Sequence, residues 1–222
     1  MSRETWQLVD QYFADQLLRT DTALDQAIEN SQQGGLPQIQ VAANQGKLIH
    51  LFVKMIGAKR ILEIGTLGGY STIWLARALP EDGSIVTLEL EPHHAKVATA
   101  TFQAAGLGDR IRVIEGPAAI SLKSLYDEDP TPFDFIFVDA DKPSNPIYFD
   151  WALKFSHPGS IIFIDNVVRD GKVGDPTSTD AQVKGVFDVV EMIRKEPRVE
   201  STALQTVGSK GYDGFILARV IS

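Results

Sequence analysis

Two apolar stretches of this 222-residue chain end in acidic or amide side chains: Phe133-Asp134-Phe135-Ile136-Phe137-Val138-Asp139-Ala140-Asp141-Lys142 and Ser160-Ile161-Ile162-Phe163-Ile164-Asp165-Asn166. A continuous apolar run of this kind is typical of a strand that is buried on both faces of a parallel sheet. In an open parallel sheet, the ends of adjacent strands face one common crevice. The sequence therefore predicts an α/β fold in which the polar residues after both runs share that crevice.

The oxygen atoms after these runs predict a site for a hard divalent cation. Carboxylates at the edge of a water-poor cleft repel one another, and they are tolerated when paired, protonated or neutralised by a metal. Asp139, Asp165 and Asn166 offer only oxygen donors, which suits Mg²⁺, Mn²⁺ or Ca²⁺. Another interpretation stays open for each motif alone, in which Asp165-Asn166 caps a helix or turn and Asp139 is an ordinary loop carboxylate.

Composition limits the class of protein. A chain that is 44% hydrophobic can bury a full core, and it is expected to form one domain. The net charge of −8 argues against a nucleic acid or an anionic membrane as partner, so a small-molecule substrate is the better expectation. The absence of cysteine excludes disulfides and thiolate chemistry. No apolar run approaches membrane-spanning length, and we expect a cytoplasmic protein.

The first 56 residues show helical spacing of apolar residues. One or two amphipathic helices are predicted between Glu4 and Asn30, and a further helix between Asn44 and Met55. This helical cap either covers the sheet or meets a partner chain. The pattern leaves both open, and packing into the core is the favoured interpretation for any single residue.

From residue 57 to the carboxyl terminus, strands alternate with helices. Besides the two stretches quoted above, strands are predicted at 60–64, 84–90, 110–114, 202–207 and 214–220. Helices are predicted at 71–79, 92–105, 118–126, 146–155 and 180–195. This order predicts a Rossmann-like, doubly wound and mostly parallel sheet of seven strands, closed by a carboxyl-terminal antiparallel pair.

A glycine-containing loop follows the first predicted strand: Glu63-Ile64-Gly65-Thr66-Leu67-Gly68-Gly69-Tyr70-Ser71. Leu67 and Tyr70 occupy the places where a dinucleotide fingerprint has its second and third glycines, so we expect a ligand without a pyrophosphate. Glu89 lies 24 residues after Gly65, at a strand end where a carboxylate can accept hydrogen bonds from both hydroxyls of a ribose. Taken singly, each glycine is more often a plain turn residue, and Glu89 is more often a solvated charge at a strand end. Together they favour a nucleoside pocket.

Three motifs together resemble one known family: Leu62-Glu63-Ile64-Gly65 with Gly69-Tyr70-Ser71, Val138-Asp139-Ala140-Asp141-Lys142, and Asp165-Asn166-Val167. They are similar to the signatures of cation-dependent class I O-methyltransferases, the family of the catechol and caffeoyl-coenzyme A O-methyltransferases. The resemblance extends from about Ile39 to the carboxyl terminus, with the motifs in order and at comparable spacing. It is weakest over the first helices, which in that family line the acceptor pocket and often contribute to a dimer.

The resemblance implies a cofactor, a metal and a base. The ribose of S-adenosylmethionine (SAM) is expected on Glu89 and the adenine beside Ala118. The methionine part is expected on Val41, Glu63, Gly65, Thr66, Gly69 and Ser71. Asp139, Asp165 and Asn166 match the ligands of Mg²⁺ (or Mn²⁺ or Ca²⁺), and Asp139 is also expected beside the cofactor and in catalysis. Lys142 matches the proposed base. Ala140 replaces a larger polar ring of the catechol enzymes, which favours the coenzyme A-ester branch.

The implied reaction is methylation of one oxygen of a vicinal diphenol of the catechol, caffeoyl or flavonoid type. A free phenol is mostly protonated at neutral pH, and a chelating dication favours the oxyanion and fixes its orientation. Orientation of the reactants can lower the activation barrier by about 7 to 11 kcal/mol, whereas a general base lowers it by about 3 to 6 kcal/mol. We therefore expect the metal to matter more than Lys142, which without this context would be an ordinary loop lysine.

Three rival functions are less well supported by the residues. The same family includes enzymes that act on a modified tRNA nucleoside, which the acidic balance disfavours. A nucleotide-binding oxidoreductase is disfavoured by the missing glycines. A non-catalytic Rossmann-like binding module is disfavoured because Asp139 and Asn166 are both present. The expected partners are a small aromatic diol and a second copy of the chain, without nucleic acid or membrane.

Overall fold

The computed structural model describes residues 2–222, which form eight α-helices and seven strands. The helices are α1 (Arg3–Leu17), α2 (Thr22–Gln33), α3 (Ala43–Ile56), α4 (Tyr70–Ala76), α5 (Pro92–Ala104), α6 (Ala118–Glu128), α7 (Asn145–Lys154) and α8 (Ala181–Lys195). The strands are β1 (Arg60–Ile64), β2 (Ser84–Glu89), β3 (Ile111–Glu115), β4 (Phe135–Val138), β5 (Ile161–Asp165), β6 (Val199–Gly208) and β7 (Gly211–Val220).

The strands form one sheet in the order β3-β2-β1-β4-β5-β7-β6. Strands β1 to β5 are parallel, whereas β7 is antiparallel to both β5 and β6. This confirms the fold predicted from the sequence, including the closing antiparallel pair. The strand order reverses between β1 and β4, and ligands of doubly wound sheets bind at such a switch point, beyond the carboxyl ends of the strands.

Alternation of side chains along β4 supplies both halves of the core. Phe135 and Phe137 point to the face covered by α2 to α5, whereas Ile136 and Val138 point to the face covered by α6 to α8. Successive side chains of a strand point to opposite faces, so a strand with helices on both sides must be apolar at every position. All four residues of β4 are buried, which explains the unbroken apolar run.

The predicted helical cap forms three helices that differ in burial. Helices α2 and α3 pack into the core, for example through Ala27 and Ile49. Helix α1 has no buried residue, and Leu8, Tyr12 and Leu17 are 66, 62 and 70% exposed. The expectation that each apolar residue of the cap packs into the core is therefore wrong for α1. Within residues 2–222, every helix is too short or too polar to cross a membrane.

Polar contacts attach α1 to the rest of the molecule. Asp10 of α1 accepts a hydrogen bond from the backbone N–H of Ser209, at the turn between β6 and β7, over 2.7 Å. The side-chain amide of Asn44 in α3 donates to the backbone oxygen of Asp10 over 3.0 Å. Helix α1 therefore lies beside the β6–β7 hairpin and the start of α3, near the carboxyl end of β5.

Candidate active site

The glycine loop after β1 has an unusual backbone. Gly65, Leu67 and Gly69 all have positive φ angles, of 103°, 51° and 87°. A Cβ atom on Gly65 would lie 2.3 Å from the backbone oxygen of Asp139, so the loop can pass this close to the end of β4 only with glycine there. The backbone of the predicted cofactor loop therefore lies directly against the backbone of Asp139, the predicted metal ligand.

Glu63 lies beneath this loop and is completely buried. Its carboxylate accepts hydrogen bonds from the hydroxyls of Ser71 (2.6 Å), Thr72 (2.5 Å) and Thr87 (2.7 Å). Burial raises the pKa of Glu63 to about 7, although these three hydrogen bonds favour the ionised form. Both carboxylate oxygens are occupied by internal donors, so the structure shows Glu63 holding the loop, and its contact with the cofactor stays a prediction.

Thr72 and Thr87 are site residues that the sequence alone does not predict. Thr87 is paired with Glu63 in the register of β1 and β2, and it is a buried hydroxyl residue between the apolar Val86 and Leu88. A buried carboxylate needs donors, and a threonine on the adjacent strand is an obvious source. Recognising it requires the strand register, which the sequence does not supply.

Glu89 stands at the carboxyl end of β2 and contacts the same loop from the other side. One carboxylate oxygen accepts the backbone N–H groups of Thr66 (3.2 Å) and Leu67 (2.7 Å), and the other accepts that of Glu91 (3.0 Å). The imidazole of His94 lies 3.4 Å away. This placement beyond the end of β2 is consistent with the predicted ribose contact, and it also braces the loop.

The remaining predicted cofactor residues lie on the same side of the sheet. Val41 is buried on the segment that leads into α3. Ala118 is the first residue of α6, which follows β3 after the positive-φ Gly116. The backbone N–H of Gly116 donates to the oxygen of Glu89 over 2.8 Å, which keeps the start of α6 close to the end of β2. The structure therefore gathers the loop, Glu89 and Ala118 along the carboxyl ends of β1, β2 and β3.

The acidic residues after β4 and β5 lie side by side. Val138 and Ile164 are partners in the parallel register, and Asp139 and Asp165 follow them directly. Asp165 is only 2% exposed. Burial, and then the negative charge of Asp139, raise the pKa of Asp165 to about 7. The Asp139 side chain is 24% exposed, so a buried and a partly exposed carboxylate lie at adjacent strand ends.

Lys142 supplies the nearest positive charge. Its ammonium group donates to Asp139 Oδ1 over 3.0 Å, and the side chain is 5% exposed. The backbone of this turn fits tightly against α8, because a Cβ atom on Gly185 would lie 2.0 Å from the oxygen of Lys142. Asp141 caps the turn by accepting from the Ser144 hydroxyl over 2.6 Å, so its carboxylate is engaged away from Lys142.

Asn166 has a left-handed backbone conformation, with φ of 56°. Its backbone N–H donates to Asp165 Oδ1 over 2.8 Å. The next helical turn begins at Lys172 with Gly171 as its cap, so Asp165-Asn166 does not cap a helix. Non-glycine residues in this conformation are uncommon and cluster at functional sites.

The donor set fits a hard divalent cation. Asp139 and Asp165 supply two carboxylates and Asn166 an amide oxygen, with Lys142 as the sole basic partner of Asp139 among the described residues. No group of three or more histidine, aspartate or glutamate side chains in residues 2–222 is arranged to hold a metal. The cation at Asp139, Asp165 and Asn166 therefore stays a prediction, which the adjacent pair of carboxylates supports.

Gln45 is a third site residue that sequence reasoning missed. Its side-chain amide, on the first turn of α3, donates to Asp165 Oδ2 over 2.7 Å. A cavity of about 270 Å³ opens beside this contact, lined among others by Gln45, Asp165, Asn166, Lys210 and Phe215. No local signal in the sequence marks Gln45, because its partner lies 120 positions away.

Known proteins resemble this chain over nearly its full length. The model of a family described as O-methyltransferase matches residues 16–221. A catechol O-methyltransferase of Niastella koreensis is 46% identical over 99% of this chain and 100% of its own. The O-methyltransferase of Bacillus cereus in complex with SAH has a TM-score of 0.97 and 52% identity, covering 99% and 100% of the two chains. TomG of Streptomyces achromogenes, in complex with SAM, has a TM-score of 0.96 and 47% identity over 100% of both chains. The chain therefore belongs to the O-methyltransferase family and is a methyl-transferring enzyme.

Proposed function

We propose that this enzyme transfers the methyl group of SAM to one oxygen of a vicinal diphenol, in a reaction that depends on a divalent cation. The observation that carries this proposal is the pair Asp139 and Asp165 at adjacent strand ends, with Asp139 against the glycine loop and Asp165 lining a cavity. A methyl donor in the loop and an acceptor in the cavity would meet at this pair. The catechol name of the Niastella koreensis relative supports the acceptor class.

The case for SAM rests on the loop and on the relatives. The positive-φ glycines let the loop turn closely over the carboxyl ends of β1 and β2, and Glu89 stands where a ribose is bound in such folds. Two proteins about half identical to this chain are described in complex with SAH and SAM. The glycine pattern disfavours a dinucleotide, which leaves SAM as the best-supported cofactor.

The residues around Asp139 and Asp165 would have different roles in the reaction. A divalent cation held by Asp139, Asp165 and Asn166 would neutralise the carboxylates, stabilise a phenolate and fix its orientation. Lys142 Nζ donates to Asp139 over 3.0 Å; to act as the base it would first have to lose one proton to solvent, and only the neutral amine could then take the proton of the acceptor hydroxyl. The β6–β7 hairpin and α3 supply most of the residues that line the cavity.

The test is a methylation assay with purified protein, SAM and Mg²⁺ on a panel of catechols, caffeoyl compounds and flavonoids. We expect methylated product from vicinal diphenols and none above background from the matched monophenols. EDTA is expected to abolish turnover, and excess Mg²⁺ to restore it. Mass spectrometry of the products provides the measurement.

Two outcomes would contradict the proposal. Turnover that is unchanged in EDTA would remove the role of the cation, and equal turnover of monophenols would remove chelation by paired oxygens. A modified tRNA offered in parallel tests the rival acceptor class. Methylation of that tRNA, with the diphenols inert, would favour the rival.

We also propose that two copies of the chain associate through α1. Leu8, Tyr12 and Leu17 would otherwise leave an apolar surface in water. Light scattering is expected to give twice the 24.4 kDa of one chain, and Tyr12→Asp with Leu17→Asp to shift the mass to that of one chain. Ile120→Asp, at a 65% exposed apolar residue of α6, is the control that should stay at the larger mass. A wild-type mass of one chain at micromolar concentration would refute the association.

A further inference from the structure

The carboxylate of Asp165 is held by two hydrogen bonds of different origin. Oδ1 accepts the backbone N–H of Asn166, the next residue in the chain, over 2.8 Å. Oδ2 accepts the side-chain amide of Gln45, from the helical cap, over 2.7 Å. The first donor is fixed by the backbone, so Gln45 is the only side chain among the described residues that orients this carboxylate by a hydrogen bond.

Gln45 is itself held firmly by its neighbours on α3. The following residue, Gly46, lies so close to Trp74 that a Cβ atom there would approach the indole to 2.4 Å. The preceding residue, Asn44, donates to the backbone of α1 over 3.0 Å. These contacts fix the start of α3 on both sides, so the Gln45 amide reaches Asp165 from a rigid support.

We propose that Gln45 is a positioning residue that orients the Asp165 carboxylate for a divalent cation. The inference rests on the proposed function, because it concerns the cation site of that reaction. A hydrogen bond from Nε2 to Oδ2 fixes the carboxylate plane and leaves one lone pair on each oxygen for a cation. Partners of this kind usually contribute 10- to 100-fold to metal affinity. Gln45 does not touch the acceptor or the methyl group in this role.

The test compares Gln45→Met with the wild-type enzyme in Mn²⁺ binding. Methionine has nearly the length of glutamine and a similar helix propensity, but it has no N–H donor. Electron paramagnetic resonance measures free Mn²⁺ directly and requires no turnover. Gln32→Met, at an exposed glutamine of α2, is the matched control.

We expect Gln45→Met to bind Mn²⁺ about 10-fold more weakly than both wild type and Gln32→Met, with unchanged SAM affinity by calorimetry. Unchanged circular dichroism and melting temperature would exclude misfolding as the cause. Wild-type Mn²⁺ affinity in Gln45→Met would overturn the role of Gln45 alone. Failure of the wild-type enzyme to bind Mn²⁺ would overturn the cation dependence in the proposed function, and this inference with it.

Discussion

Asp165→Asn is expected to lower the kcat/KM of methyl transfer about 10,000-fold while SAM still binds. The substitution keeps the size of the side chain but removes one of the two carboxylates that would hold the cation. A ten-thousand-fold loss corresponds to about 5.5 kcal/mol, which is less than the roughly 7 to 11 kcal/mol that orientation of a reactant can supply. The expected loss therefore matches the upper end of the roughly 100- to 10,000-fold contribution of a general base.

The matched control for this prediction is Asp170→Asn. Asp170 is an exposed aspartate five positions along the chain and undergoes the same change in charge. Initial rates over a range of diphenol concentrations, at saturating SAM and Mg²⁺, give kcat/KM, and calorimetry gives the affinity for SAM. Equal losses of activity and SAM affinity in Asp165→Asn would show that Asp165 supports the cofactor pocket instead of the cation.

Gly65→Ala is expected to weaken SAM binding by at least about 100-fold, or about 2.8 kcal/mol. The φ of 103° at this position is one that alanine rarely adopts, and such strain costs about 1 to 3 kcal/mol. The added Cβ would also lie 2.3 Å from the oxygen of Asp139. That backbone cannot retreat easily, because the Asp139 N–H is hydrogen-bonded to the Ile64 oxygen at 2.9 Å.

Calorimetric titration with SAM measures this effect, and a thermal melt reports the accompanying loss of stability. Gly174→Ala is the control, since no atom lies within 4 Å of the place that its Cβ would take and its φ is ordinary. We expect Gly174→Ala to bind SAM as the wild type does. Wild-type affinity in Gly65→Ala would mean that the loop does not form the cofactor pocket.

The fold was predictable because every strand in the parallel part of the sheet carries its own signal. β4 and β5 are apolar at nearly every position since helices cover both faces, and Asp139 and Asp165 mark where those strands end. Parallel connectivity then places the two aspartates together without further information. The glycine loop could also be recognised in the sequence, because the positive φ angles at positions 65 and 69 favour glycine.

The missing parts of the site depend on contacts between distant segments. Gln45 and Thr87 act through Asp165 and Glu63, and only the packed helix and the strand register reveal those pairings. The exposure of α1 could not be predicted from the sequence either, because an amphipathic pattern does not show whether the apolar face packs on the sheet or on another molecule. Ala140 favoured the coenzyme A-ester branch, whereas a 46% identical relative carries the catechol name, so one residue does not decide the acceptor.

The attachment of α1 by a few polar contacts has a consequence for how such enzymes diversify. Helix α1 and the hairpin turn at Ser209 lie beside the cavity but contribute no buried side chain to the sheet core. Substitutions at exposed positions usually change the free energy of unfolding by less than about 0.5 kcal/mol. Substitutions in α1 and in this turn can therefore accumulate around the cavity at little cost in stability, while the buried residues of the sheet stay unchanged.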